Sequence, residues 1–173
     1  MLNRQMKIRG QRLSRTQRRS GKRGPAGRLI TAGVLAGLTS VPALAGPKGE
    51  QVVHGSAAFN RSGANTTITT SHRAIINYQS FNLNSSESVR FVQPHLSSSV
   101  LNRINSGMPT SMDGSVFANG NVYFVNPAGI YFGRNAVVNV GGIFAAAGNI
   151  TNQDFLDNVN RFTDLSGEVV NRG

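Results

Sequence analysis

Between residues 114 and 147 the hydrophobic side chains alternate with polar ones, and the alternation restarts at a fixed interval. The alternating pairs that recur at this interval are Val122 and Phe124, Ile130 and Phe132, and Val138 and Val140. After them, Gly141-Gly142 moves the apolar phase from even to odd positions, where Ile143 and Ala145 lie. Strict alternation with frequent turns is typical of short strands that bury one face. The pattern predicts such strands, with a bulge or corner at the glycine pair.

Two turn signals separate these predicted strands. Asn126-Pro127-Ala128-Gly129 has the order of a type I turn, because proline at the second position pre-sets φ and the Asn side chain caps the turn. Asn119-Gly120 leaves two alternatives open, a type I′ hairpin or a corner between separate strands.

The rest of residues 46–173 extends the all-β prediction. Segments rich in β-branched and aromatic residues predict further strands over Thr66–Thr70, Ala74–Leu83 and Ser88–Val92. Near the end, Thr151 and Asp154 are spaced like a capping box and predict one short helix. The apolar residues that follow fit two helical turns: Phe155, Leu156, Val159 and Phe162.

Two all-β architectures fit this pattern, a sandwich and a solenoid. In a solenoid, three strands of about 8 residues would form each coil of roughly 22 to 25 residues. The chain from position 46 to position 173 would then make five or six coils. The many asparagines in this region favour the solenoid, because stacked amides at equivalent corners can form ladders.

Residues 1–45 have a different character and predict an export leader. They contain 10 Lys and Arg and no acidic residue, and the apolar run Leu29–Leu38 follows the basic part. Ala43-Leu44-Ala45 then matches the small-residue pattern of a signal peptidase site, so cleavage after Ala45 is expected. A membrane anchor is disfavoured, because a spanning helix needs about 20 apolar residues. We therefore expect no stable membrane insertion.

Charge and residue usage exclude several function classes for residues 46–173. Eight basic and seven acidic side chains leave a net charge of +1, which disfavours nucleic acid as a partner. The absence of Cys excludes a disulfide scaffold and a thiol nucleophile. His54, His72 and His95 lack the paired spacing of a metal site, and Asp154 and Asp157 fit helix caps better than a catalytic pair. We expect no cofactor, no metal and no enzymatic activity.

Three segments, in order, resemble the filamentous haemagglutinin N-terminal activity domain, the secretion domain of two-partner-secretion exoproteins. They are Ile76–Phe91, Ser98–Ile104 and Gly114–Ala147, and the resemblance covers nearly all of residues 50–165. Asn126-Pro127-Ala128-Gly129-Ile130 is similar to the family signature Asn-Pro-Asn-Gly-Ile, with Ala128 in place of the second Asn. Leu101-Asn102-Arg103-Ile104 matches a second family segment.

This resemblance implies a single-stranded, right-handed parallel β-helix with an extra-helical hairpin. It also implies export across the inner membrane and recognition by an outer-membrane transporter with periplasmic docking domains, through Asn126 to Ile130. The product would be secreted or associated with the cell surface, where a glycan or protein of a host or neighbouring cell is the expected further partner. Residues 46–173 would form the secretion domain, as the first part of a longer exoprotein or as a truncated version.

The alternative is a stand-alone secreted β-solenoid that binds or cleaves carbohydrate. Tyr123 and Tyr131 share the outward phase and are separated by the same interval as the alternating pairs. If they stacked on neighbouring strands they would form a sugar platform, whereas the competing interpretation is a tyrosine ladder that covers the outer face under a loop or an extra sheet.

Overall fold

A computed structural model describes residues 46–173, and its strands wind into a solenoid. The described elements, in chain order, are β1 (Pro47–Lys48), β2 (Gln51–His54), β3 (Ala57–Ser62), β4 (Asn65–Thr70), β5 (Ala74–Tyr78), β6 (Ser80–Phe81), β7 (Ser88–Val92), β8 (Ser99–Ile104), β9 (Thr110–Met112), β10 (Ser115–Ala118), β11 (Asn121–Val125), β12 (Ile130–Phe132), β13 (Val137–Asn139), β14 (Gly142–Ala146), α1 (Asn152–Leu156) and β15 (Val169–Asn171).

Three sheets run along the solenoid, and β1 and β6 form a fourth, two-stranded sheet. The first sheet has the order β3-β4-β7-β10-β13, the second β2-β5-β8-β11-β14, and the third β9-β12-β15. Four coils each add one parallel strand to the first and second sheets, whereas the first coil meets the third sheet only through a bridge between Leu83 and Met112. Val89, Val116 and Val138 lie in register, so each coil brings the chain back to the same place in the first sheet. The predicted parallel β-helix is confirmed.

The prediction of five or six coils is wrong, because two parts of the chain do not add coils. At the beginning, β1, β2 and β3 pair antiparallel with strands of the first coil instead of winding around the axis. Such strands cover the end of a solenoid, whose unpaired edge would otherwise attract other chains. β3 and β4 form a hairpin, but β4 belongs to the first coil, so this pair is not the extra-helical hairpin that was expected. Near the end, residues 147–168 form a long insertion in the last coil that carries α1.

The core lies inside the coils and consists of side chains stacked in register. Ile68, Phe91 and Ala118 align across β4, β7 and β10. Phe124 packs edge-on against Phe81 and Phe91, with ring centroids 5.0 and 6.3 Å apart. All three rings are at most 1% exposed. The inward alternation predicted from the sequence therefore builds the main core.

Both glycine-containing corners change the sheet to which the chain belongs. Asn119-Gly120 joins β10 and β11, which lie in different sheets, so the corner alternative is correct and the hairpin is wrong. A Cβ at Gly120 would lie 2.5 Å from the Ser98 carbonyl oxygen, so only glycine lets the coils approach there. Gly141-Gly142 joins β13 and β14 and places Ile143 over Val122, which confirms the predicted shift of phase.

Amide side chains connect neighbouring coils at the corners, but mostly through the backbone. The Asn119 side chain accepts from the Gln93 amide at 2.8 Å and donates to the Gln93 carbonyl at 2.7 Å. Asn82 accepts from the Ser111 amide at 2.8 Å in the same manner. Hydrogen bonds between side-chain amides and the backbone, rather than stacked Asn ladders, therefore connect the coils at these corners.

Two local predictions fail at the end of the chain. Val138 is 38% exposed, because it lies in the last described coil and no described coil stacks on it. The helix begins at the predicted cap, where Thr151 accepts from the Asp154 amide at 3.0 Å, but it ends at Leu156. Asn158 has φ +56°, a left-handed conformation that ends helices, so Val159 and Phe162 lie outside α1.

Candidate functional site

The turn at Asn126 to Gly129 is closed twice by Asn126. The Gly129 amide donates to the Asn126 carbonyl at 3.0 Å, and the Ala128 amide donates to Asn126 Oδ1 at 3.0 Å. This is the side-chain-capped turn that the sequence predicts. Pro127 and Ala128 are half-buried and form its tip. Gly129 has φ +123°, which favours glycine at the step into β12.

The Asn126 side chain also binds the preceding coil. Its Nδ2 donates to the Met108 carbonyl at 2.9 Å and to Thr110 Oγ1 at 3.0 Å, and the residue is 1% exposed. The turn is therefore fixed to the loop that leads into β9. The sequence predicted the cap alone, because the second contact depends on which loop the coil stacking brings beside the turn.

The opposite face of the turn is covered by residues 166–168, here called the closing segment. Ser166 Oγ donates to the Pro127 carbonyl at 2.9 Å, and the Ile130 amide donates to the Glu168 carbonyl at 2.9 Å. A Cβ at Gly167 would lie 2.7 Å from the Pro127 carbonyl oxygen. The fit depends on glycine at position 167 and leaves only the tip of the turn accessible.

The segment Leu101 to Ile104 lies in β8, and its side chains alternate between two hydrophobic clusters. Leu101 faces outward and joins a cluster on the outer face of the second sheet, together with Tyr123 and Phe155. Asn102 is fully buried and lies in register with Ile76 and Phe124 in the main core. Its Nδ2 donates to the Tyr123 carbonyl at 3.1 Å, while its Oδ1 has no hydrogen-bond partner among the described residues.

Arg103 holds the start of the inserted segment against the second sheet. One of its terminal nitrogens donates to the Ile150 carbonyl at 2.6 Å and to Asn152 Oδ1 at 2.9 Å, and the other donates to Asn77 Oδ1 at 3.2 Å. Partial burial lowers the pKa of Arg103 from its ordinary value through desolvation. At the other end of α1, Arg73 donates to the Leu156 carbonyl. Two arginines thus fix the short helix on the sheet.

Tyr123 and Tyr131 do not lie on neighbouring strands. Tyr123 belongs to the second sheet and Tyr131 to the third, so this pair forms no sugar platform. Tyr123 is 7% exposed, stacks on Phe144 at 4.2 Å and donates to Asn160 Oδ1 at 3.1 Å. The tyrosine ladder is wrong for the same reason, since the two rings lie on different sheets. Tyr123 itself is covered by the inserted segment, whose Phe155 packs against it.

The two sequence motifs lie on neighbouring coils and meet the same late part of the chain. The insertion that carries α1 covers Leu101 and Arg103, and the closing segment covers the turn at Asn126. No pattern in the sequence reveals this relation, since each motif is distant along the chain from the segment that covers it. Ala43 and Ala45 of the predicted cleavage site lie outside the described residues.

A sequence profile described as the TPS secretion domain matches residues 43–173. The chain belongs to the TPS, or two-partner-secretion, family of secretion domains. A solved structure supports this: the HMW1 secretion domain from Haemophilus influenzae is 35% identical, with a TM-score of 0.72 over 74% of this chain and 36% of that one. The resemblance stated from the motifs is confirmed.

Two curated relatives are heme/hemopexin-binding proteins of Haemophilus influenzae. One is 32% identical over 150 residues, 84% of this chain, and the other is 29% identical over 119 residues, 68% of this chain. The chain spans 17% and 13% of their lengths. This TPS domain is thus similar to a small part of much longer proteins, and the likeness concerns that part.

Within residues 46–173 of this TPS domain, no group of three or more His, Asp or Glu side chains is arranged to hold a metal ion. No helix in the same range has the length and apolar character needed to cross a membrane. The two closely spaced aspartates lie at the helix: Asp154 accepts from Thr151 at its start, and Asp157 accepts from Gln153 Nε2 at 2.8 Å at its end. The prediction that they cap the helix is confirmed for Asp157, which is the C-cap, whereas the N-cap is Thr151.

Proposed function

We propose that this TPS domain directs its chain out of the cell by binding an outer-membrane transporter before its last coil has folded. The leader is removed after Ala45, and periplasmic docking domains of the transporter recognise the Asn126 to Ile130 turn and the strands that flank it. The chain then folds coil by coil outside, where it is secreted or stays at the cell surface. Its role is binding rather than catalysis.

The observation that carries this proposal is the double covering of the turn. Asn126 is 1% exposed and bound to the preceding coil, and the closing segment lies on the other face. A partner can bind this motif fully only while the last coil is unfolded and the closing segment does not cover the turn. Recognition of an incompletely folded chain fits this geometry, and folding of the last coil would then end the interaction.

The composition and topology support folding during export. The domain has no Cys, so no disulfide locks it in the periplasm, and its net charge of +1 is small. A solenoid adds each coil on the previous one, so folding can follow emergence of the chain. We assign no heme or hemopexin binding, because the relatives named for it are far longer than the matched part.

The test is transporter-dependent release. The full chain is expressed with and without a two-partner transporter, and the medium is assayed for a product that begins at Gly46. Pro127→Ala changes the half-buried tip and leaves both Asn126 side-chain contacts with the loop in place. We expect release of this variant to fall to the level without transporter, while its periplasmic pool persists.

Arg134→Ala is the matched control, since it changes an exposed corner of the same coil. Its release should equal that of the unchanged chain. Release without any transporter, or retention of the unchanged chain as a folded periplasmic protein, would contradict the proposal. Equal loss in Pro127→Ala and Arg134→Ala would show that the turn has no special part in recognition.

A further inference from the structure

A small cavity lies beside the N-terminal end of the solenoid. It has a volume of about 120 Å³ and is bounded by Gly46 to Lys48, by the β3–β4 hairpin, and by Leu83, Glu87 and Ser88. The first of these walls is held in place by pairing of β1 with β6, in which Pro47 faces Phe81. The cavity is therefore built from the residues that would begin the chain after the leader is removed.

One carboxylate lines this cavity and is almost entirely buried. Glu87 is 3% exposed, and its Oε2 accepts from the Asn84 amide at 2.6 Å. No cationic group of the described residues lies within 4.0 Å of it, since the described ion pairs are Arg61 with Glu50 and Arg161 with Asp154. An opposite charge beside a buried carboxylate stabilises it, and no described residue supplies one to Glu87.

The other charged groups around the cavity do not provide a counter-charge for Glu87. Arg61 also lines it, but its guanidinium is bound to Glu50 at 2.8 Å and to the Pro47 carbonyl at 3.3 Å. Lys48 is exposed and makes no ion pair with any residue that the structure describes. Gly46 lines the cavity as well, is half-buried, and has φ +43°, so the chain turns sharply there.

We propose that the cavity is a binding site for the α-ammonium group of Gly46, which is created by leader cleavage and pairs with the Glu87 carboxylate. The inference rests on cleavage after Ala45 and is independent of the transporter. Before cleavage, the Gly46 nitrogen is a neutral amide and cannot supply the charge. Removal of the leader therefore completes the cap of the first coil and stabilises the processed domain over the unprocessed chain.

The test measures the pKa of the α-amino group in chain that cells have exported and processed. Reductive methylation with ¹³C labels this amine and Lys48, the single lysine after residue 45, so two NMR signals are followed. An opposite charge nearby should raise the α-amino pKa by about one unit or more above its ordinary value of about 7.7 to 8.0. Intact mass identifies the first residue.

Two variants remove the pair in different ways. Insertion of one Ser between Ala45 and Gly46 moves the ammonium out by one residue, and Glu87→Gln removes the carboxylate. Both should return the α-amino pKa to its ordinary value, whereas Glu168→Gln, which removes an exposed carboxylate, should leave it raised. If Glu87→Gln does not fold, the inserted Ser decides alone. An equal pKa with and without the inserted Ser, or a mature chain that begins elsewhere, overturns the proposal.

Discussion

Asn126→Ala tests whether the signature turn also holds two neighbouring coils of the solenoid together. The substitution removes two donated bonds, to the Met108 carbonyl at 2.9 Å and Thr110 Oγ1 at 3.0 Å, and one accepted bond from the Ala128 amide at 3.0 Å. Because Asn126 is 1% exposed, water cannot readily replace the lost partners. At about 1 kcal/mol of net stability for each bond, the loss should be about 3 kcal/mol.

The assay is equilibrium unfolding in urea, followed by circular dichroism. With a slope of about 1.5 kcal/mol per molar urea for a domain of this size, the loss corresponds to a midpoint lower by about 2 M. Pro127→Ala should cost less, about 0.5 to 1 kcal/mol, because it mainly increases the entropy of the unfolded chain.

Asn139→Ala provides the matched control, since it makes the same chemical change at an exposed position of β13. Its free energy of unfolding should change by less than about 0.5 kcal/mol. If Asn126→Ala lowers the urea midpoint no further than Asn139→Ala does, the Asn126 side chain does not stabilise the contact between coils. The motif would then not be held by the preceding coil in the folded domain, as the proposed function requires.

Three further predictions concern other described residues. Arg103→Met should speed amide hydrogen exchange across residues 150–160 and lower the free energy of unfolding by about 2 kcal/mol, because its charged hydrogen bonds to the Ile150 carbonyl and Asn152 are lost. Unchanged exchange in these residues would contradict the prediction. Asn102→Leu should raise the urea midpoint, because removing a buried Oδ1 without a partner among the described residues and adding apolar contacts outweigh the one lost bond to the Tyr123 carbonyl; a lower midpoint would refute this. Burial raises the pKa of Tyr78 far above its ordinary value, because the folded domain disfavours the phenolate. Stability should therefore fall as pH rises above about 10, where the unfolded chain ionises and the folded one does not. In an ultraviolet titration of tyrosine ionisation, the Tyr78 phenolate should form only on alkaline unfolding, a step that Tyr78→Phe abolishes.

Much of this fold follows from local pattern. The two-residue alternation, the turn at Asn126 and the cap at Thr151 all form where the sequence predicts them, because each depends on neighbours within a few residues. The corner at Gly141-Gly142 could also be predicted locally, because a change in the phase of the apolar positions requires a corner whatever the arrangement of the sheets. The family, too, could be inferred from the order of the motifs.

The number of coils and the surroundings of the motifs were decided only by tertiary structure. β2 and β3 could form a further coil or pair antiparallel with the first coil. The outcome depends on the free edge of the first coil, which the local sequence does not reveal. The position of Arg103 beside Ile150, and of Asn126 beside Met108, likewise depends on coil lengths and on where the insertion folds back. These contacts join residues 18 to 47 positions apart, so only the completed stacking of coils brings them together.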